Sequence, residues 1–386
     1  MSQSTKRPII VHLFAIALAL SLSLHVFNMG GEEGLKPFHF AAGIASVMTL
    51  LYAHKDRQFY LLCLFLLCVG ISAIISPVSH TFSGFVNVLI VTLCCYGVST
   101  ASISVLLKWL VFLIPVDLMA LAFEAVTNPV YRFQGFYNDP NYLCTTLIVF
   151  FFLSILAYYR FENYVLRVIS IVNIVAIVIL VLITLSRTGL ACIVLLLAIS
   201  FASVIKRHLY KGIIILVISA FAINHYATDF VDKEYTLLYE RLFERSDNLE
   251  SAGELRSELS IQNILFIIDN IDNPSYLLFG LGPSATAGNN AQEVPGLIQY
   301  RKSHHRDHNS WTSCFSEYGF FAFVLFFSLI FNTVKRVVSM KHSVTKYICV
   351  GTCLSIIIFS LSIWQMTYLP FWWGLFLLGN KQLQEI

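Results

Sequence analysis

VLRVISIVNIVAIVILVLITLSRTG, residues 165–189, is the stretch from which the fold follows. Its first part, 165–185, is almost wholly apolar and has the length, about 20 residues, that crosses a hydrocarbon core of about 30 Å as a helix. A second apolar run begins at 188, which predicts two spans joined by a hairpin with almost no loop, and Arg187 sits in that hairpin. Working outward, comparable runs occur at 8–28, 38–54, 59–77, 82–99, 102–125, 141–159, 188–205, 211–226, 317–334, 346–366 and 368–380, most bounded by Pro, Gly, Asn or a charge cluster. The expectation is an all-α, polytopic membrane protein of about twelve transmembrane helices. Residues 1–226 would form a bundle of nine helices, 227–317 one large helical loop outside the cytoplasm, and 318–386 the C-terminal spans.

Composition agrees with a lipid solvent. Of 386 residues 57% are hydrophobic and only 12% charged, with mean hydropathy +0.75, whereas a soluble domain carries about a quarter charged residues. A net charge of +3 and the lack of any basic, aromatic-interleaved surface stretch argue against nucleic acid as a partner. Eight of the nine cysteines lie in apolar runs and only Cys314 is near the polar loop, so no disulfide framework is indicated. The first run follows Lys6 and Arg7 and is too long for a secretory signal; it is expected to remain as an uncleaved helix.

With the N-terminus in the cytoplasm, the loops holding Lys55/Arg57, Arg160/Arg167, Lys206/Arg207/Lys211 and Lys335/Arg336/Lys341/Lys346 all fall inside, as basic residues prefer. The C-terminus is then cytoplasmic too. The long segment from Thr228 to Glu317 is net acidic and falls outside, and a bacterial inner membrane with a periplasmic loop is the natural setting.

Two arginines go against this sorting. Arg187 lies between two long apolar runs, and arginine deep in hydrocarbon costs about 2.5–3.5 kcal/mol, so it should face the bundle interior or a wet cavity. It would either snorkel to a lipid phosphate or bind a phosphorylated substrate. Arg132 opens an aromatic, amide-rich hairpin, Tyr131 to Asn141, in which Asp139 is placed as a helix cap and Pro140 in the first turn. A capped interfacial turn explains Asp139 and Pro140; Arg132, Gln134 and Asn141 also suit recognition of sugar and phosphate.

In the long loop, 229–258 reads as one or two charged surface helices and 255–268 as a second amphipathic stretch broken by Asn273-Pro274. Phe279-Gly280-Leu281-Gly282-Pro283 makes a tight apolar turn, and 285–299 is small, polar and expected to be flexible. The cluster Arg301 to Trp311 stands just before the next span and contains His304, His305, Arg306, His308 and Asn309. His304 and His308 are four apart, yet no Cys or paired carboxylate completes a zinc pattern. His308 could act alone as a general base near neutral pH or be a solvated loop histidine.

In order and spacing these motifs resemble the bacterial O-antigen ligase and polysaccharide polymerase superfamily of integral membrane glycosyltransferases. Gly135 to Asn141 is similar to the family's Gly-x-x-x-x-Pro-Asn segment, Ser186-Arg187 to its Ser-Arg or Thr-Arg at a span end, and His308-Asn309 followed by Gly319 to its third motif. Between them Arg256 precedes Phe279-Gly280-Leu281-Gly282, as in the family's outer loop. Ala322 departs from the Gly, Thr or Tyr common in ligases. The resemblance covers about residues 130 to 335.

It implies a fold similar to the GT-C membrane glycosyltransferases and a donor glycan on undecaprenyl diphosphate, passed to a hydroxyl of an acceptor sugar at the outer face. Arg187 and Arg256, with Arg132 as a third candidate, would bind the diphosphate, and His308 would take the acceptor proton; Asn309, Asn141, Arg306 and His305 are secondary candidates. No cofactor and no metal is called for, there being no Asp-x-Asp motif, and transfer would be metal-independent and inverting. Membrane lipid, a flippase and chain-length regulator proteins follow as partners. Polymerase is favoured over ligase because the Asn-Asp-Pro-Asn turn and compact loop look more like polymerases. A transporter or flippase is the alternative of another class, but it should show internal repeats, and this chain has one unrepeated late loop.

Overall fold

Apolar side chains placed all round a segment, rather than on one stripe, force it either into lipid or into the centre of a bundle, and the computed structural model contains both cases. It describes residues 8–27, 36–128, 133–200, 247–300, 309–363 and 366–385. The helices are α1 (Pro8–Leu24), α2 (Pro37–Tyr52), α3 (Arg57–Ile75), α4 (Thr81–Thr100), α5 (Ile103–Thr127), α6 (Pro140–Arg160), α7 (Tyr164–Thr184), α8 (Arg187–Ser200), α9 (Asp247–Asp269), α10 (Pro274–Phe279), α11 (Leu297–Tyr300), α12 (Ser310–Ser339), α13 (Val344–Ser362) and α14 (Leu369–Leu378). Among the described residues eight helices are long and apolar enough to cross a membrane, and α2, α8 and α14 are shorter apolar helices. These eleven correspond to eleven of the twelve expected segments; that at 211–226 lies outside the described residues. The chain is a polytopic all-α membrane protein.

Two helices show the two environments. In α6 every residue from Leu143 to Ala157 is buried, so this helix is the axis of the bundle. In α7 the buried set is Ser170, Asn173, Ile177, Leu180, Val181 and Thr184, one face with its polar members inward, while Val172, Val175 and Ile179 are exposed on the other. That inside-out pattern suits lipid, where polar groups gain only by facing protein. The ten residues of α14 are all buried, packed among α4, α6, α12 and α13.

One end of the bundle gathers the basic hairpins. Arg336 donates to Gln58 Oε1 (2.8 Å), the Gly379 carbonyl (2.8 Å) and Asp56 (3.1 Å), Asn380 donates to the carbonyls of Val98 and Ala101, and Arg160 donates to Ser104. Partial burial pushes the Asp56 carboxyl up, but the Tyr96 hydroxyl and the Arg336 guanidinium outweigh it and hold it below the usual carboxylate range. The hairpin with Lys206, Arg207 and Lys211 lies outside the described residues.

At the other end, α9 to α11 and their connections cap the bundle over a small core of Val78, Phe266, Ile267, Leu281, Val294 and Leu297. Here two expectations are corrected. Residues 285–299 are not a flexible connector: Ala285, Ala287, Ala291, Val294 and Leu297 are buried, and Glu293 accepts from the Ser79 amide (2.8 Å) and hydroxyl (3.0 Å). Small residues read as solvent-facing are what lets this segment lie close against the bundle. The helix that follows the long loop begins at Ser310 rather than 317, because Asn309 caps it, accepting from the amides of Trp311 (2.9 Å) and Thr312 (3.4 Å). Its first turns look polar, but Ser310, Ser313, Ser316 and Glu317 are buried against protein.

Candidate functional site

The start of α6 is fixed by its own sequence. Asp139 caps it, accepting from the Asn141 amide at 2.7 Å, and Pro140 occupies the first turn, where its missing N–H costs nothing. Gly135 takes the left-handed conformation, φ 57°, in the turn before it. Asn141, in the first turn of α6, is buried, and its Oδ1 accepts from Ser186 Oγ at 2.6 Å.

That bond joins the first two motifs, which are 45 residues apart. The chain turns from α7 into α8 through Leu185, in the left-handed region at φ 51°, and Ser186. Ser186 Oγ also accepts from the Gly189 amide at 3.0 Å and so caps α8. A side chain at 189 would strike Cys144, so Gly189 sets how closely α8 approaches α6. Arg187 is thereby the first residue of α8, half-buried, and makes no hydrogen bond or ion pair among the described residues. The N-terminal end of a helix is its positive end and disfavours a cation by about 0.3–1 kcal/mol. An uncommitted guanidinium there adds to the field of the free amides and suits an anion.

The third motif enters from the cap. Asn309 starts α12, Ser310 Oγ donates to the Ile363 carbonyl (2.6 Å) and Trp311 Nε1 to Ser360 Oγ (2.8 Å), tying that start to the end of α13. In turn α13 packs along α8, with Ser355 donating to the Cys192 carbonyl. Thr312 and Ser260 bond at 3.2 Å, which brings α9 against the start of α12, and Arg256 stands one helical turn before Ser260 on the α9 backbone. The starts of α6, α8 and α12 are thus assembled at the capped end. His308, Arg132, His305 and Arg306 lie outside the described residues.

Three polar features of this end were not foreseen. Tyr137 joins His25 (3.3 Å) and Thr146 (3.0 Å), Thr146 joins Tyr368 (2.7 Å), and Tyr368 donates to the Tyr142 carbonyl, a buried chain that braces the turn behind Asn141. Burial pushes the Tyr137 phenol up, so it keeps its proton. Glu317, wholly buried, accepts from the Ser284 amide (3.1 Å) and Thr286 hydroxyl (2.7 Å). Its position at the polar edge of an apolar run was the one available signal. Finally, α12 breaks at Gly319 (φ 78°, ψ −179°), and the Ser316 and Glu317 carbonyls there accept from Leu281 (2.9 Å) and Gly282 (2.8 Å). The Phe279–Gly282 turn and the Gly319 kink of the family motif are one interlocked structure.

Residues 171–327 match the family model of the O-antigen ligases. Over this segment, less than half of its length, the chain is similar to the O-antigen ligases, which supports the superfamily that its motifs resemble. The O-antigen ligase match starts within α7, takes in Arg187, Arg256, His308, Asn309 and Gly319, and leaves Asn141 and Arg132 before it. It supports membrane glycosyltransferase activity of the ligase or polymerase type. No curated protein matches the sequence.

Proposed function

We propose that the chain transfers an oligosaccharide from undecaprenyl diphosphate to an acceptor sugar hydroxyl at the outer face of a bacterial inner membrane, as a surface polysaccharide polymerase. The observation that carries this is Arg187: an uncommitted guanidinium at the positive end of α8, inside the family-matched segment and locked to the Asn141 turn through Ser186. In the proposed step the acceptor oxygen attacks the anomeric carbon as the bond to the diphosphate oxygen breaks. His308 takes the acceptor proton, and Arg187 and Arg256, with Arg132, neutralise the charge that develops on the diphosphate. A single displacement inverts the anomeric centre, and the guanidiniums supply the charge that a metal would otherwise bring. Asn309, Asn141, His305 and Arg306 are assigned to positioning around this centre. The proposal includes twelve spans in a GT-C-like arrangement with both termini cytoplasmic, and a flippase and a chain-length regulator as partners.

Ligation to lipid A core is the second reading, favoured by the description of the matched family as O-antigen ligase. Both use the same donor and differ in the acceptor. The glycan ladder of a deletion strain separates them. Single repeat units on lipid A core indicate a polymerase; bare core with polymer retained on the lipid carrier indicates a ligase; an unchanged ladder, or lipid-linked units trapped on the inner leaflet as for a flippase, sinks both.

A further inference from the structure

The basic end of the bundle holds a cavity of about 250 Å³ between α3 and α12, lined by Arg57, Gln58, Asn332, Lys335, Arg336 and Ser339. Three cations stand round it. Arg336 is already committed, to Asp56, Gln58 and the Gly379 carbonyl, and its charge is balanced by Asp56. Arg57 and Lys335 are exposed and, among the described residues, have no hydrogen bond or ion pair, and the Asn332 amide is equally uncommitted. The cavity therefore carries two uncompensated positive charges and a spare amide donor.

Apolar surface continues from this cavity along both helices. On α3, Arg57 is followed on one face, at intervals of three, four and three residues, by Tyr60, Leu64 and Leu67, which are 60%, 50% and 58% exposed. On α12, Lys335 is preceded at intervals of four by Phe331 and Phe327, also exposed, with their rings stacked at 6.4 Å. Each cation thus heads its own apolar stripe. Inorganic phosphate needs the cations alone, whereas an amphiphile with an anionic head uses both.

We propose that this cavity binds the phosphate of an anionic phospholipid, with its acyl chains lying along the Tyr60–Leu64–Leu67 and Phe331–Phe327 stripes. A basic pocket between helices at the membrane surface meets such a headgroup with little screening, and a guanidinium matches two phosphate oxygens at once. The site is at the opposite end from the starts of α8 and α12, so it stands or falls independently of the transfer reaction.

Native mass spectrometry of the purified full chain, titrated with phosphatidylglycerol or phosphatidylcholine, measures the site. The wild type should retain phosphatidylglycerol over phosphatidylcholine. Arg57→Gln/Lys335→Gln should weaken phosphatidylglycerol by about thirtyfold while leaving phosphatidylcholine unchanged. Arg160→Gln, which removes a basic residue of the same end outside the cavity, should retain wild-type affinity. Equal retention of the two lipids by the wild type overturns the proposal, whether or not the double variant folds. So does wild-type affinity in the double variant, an equal loss in Arg160→Gln, or displacement of the lipid by an equal concentration of inorganic phosphate.

Discussion

Gly319→Ala should be among the most damaging single-methyl additions in this protein. At φ 78° and ψ −179° the residue occupies a backbone region that is almost exclusively glycine's, and forcing another residue there costs about 1–3 kcal/mol. The new Cβ would also fall 2.5 Å from the Gly280 nitrogen, so the Phe279–Gly282 turn must move away. That movement breaks the bonds from the Leu281 and Gly282 amides to the Ser316 and Glu317 carbonyls, each worth about 0.5–1.5 kcal/mol net. Together the loss is about 2–6 kcal/mol, a large part of the roughly 5–15 kcal/mol that stabilises a typical domain. Thermal unfolding of the detergent-solubilised protein reads the total, and hydrogen exchange at Leu281 and Gly282 reads the local opening. Gly43→Ala is the control, because nothing lies within 4 Å of a Cβ there and its helical backbone favours alanine by about 0.5–1 kcal/mol. A Gly319→Ala protein that unfolds like the wild type with both amides still protected would refute this account of the kink.

Ser186→Ala removes the donor to Asn141 and the cap of α8, leaving a buried amide oxygen short of its partner, so a loss of about 1–3 kcal/mol is expected in thermal unfolding, with transfer activity falling alongside. Asp56 has its folded pKa below its unfolded value of about 4, so its contribution is fully present above pH 4 and is lost as pH falls through the folded value. The thermal midpoint of the wild type should therefore converge on that of Asp56→Asn in acid and exceed it at neutral pH.

What could be read from the sequence was what local chemistry determines. The Asp139-Pro140 start of α6 needs only adjacent residues, and the α7–α8 hairpin around Arg187 follows from two apolar runs and the lack of space between them. The Ser186–Asn141 bond could not be read, because the partners are 45 residues apart and neither is unusual in its own neighbourhood. Nor could the true start of α12: counting apolar residues treats Ser310, Ser313 and Glu317 as solvent-facing, whereas in a bundle the polar face of a helix turns toward protein. The same bias made 285–299 look like a loose linker, since alanine and glycine reveal their role only once a surface is close enough to need them.

The most direct test of the central claim is transfer by the purified chain in proteoliposomes supplied with its undecaprenyl-diphosphate-linked glycan. We expect one lipid diphosphate released per glycosidic bond formed, with Arg187→Ala and His308→Ala inserting normally but slowed by about 100-fold or more. Wild-type turnover in both variants would contradict the assignment of the reaction to this site.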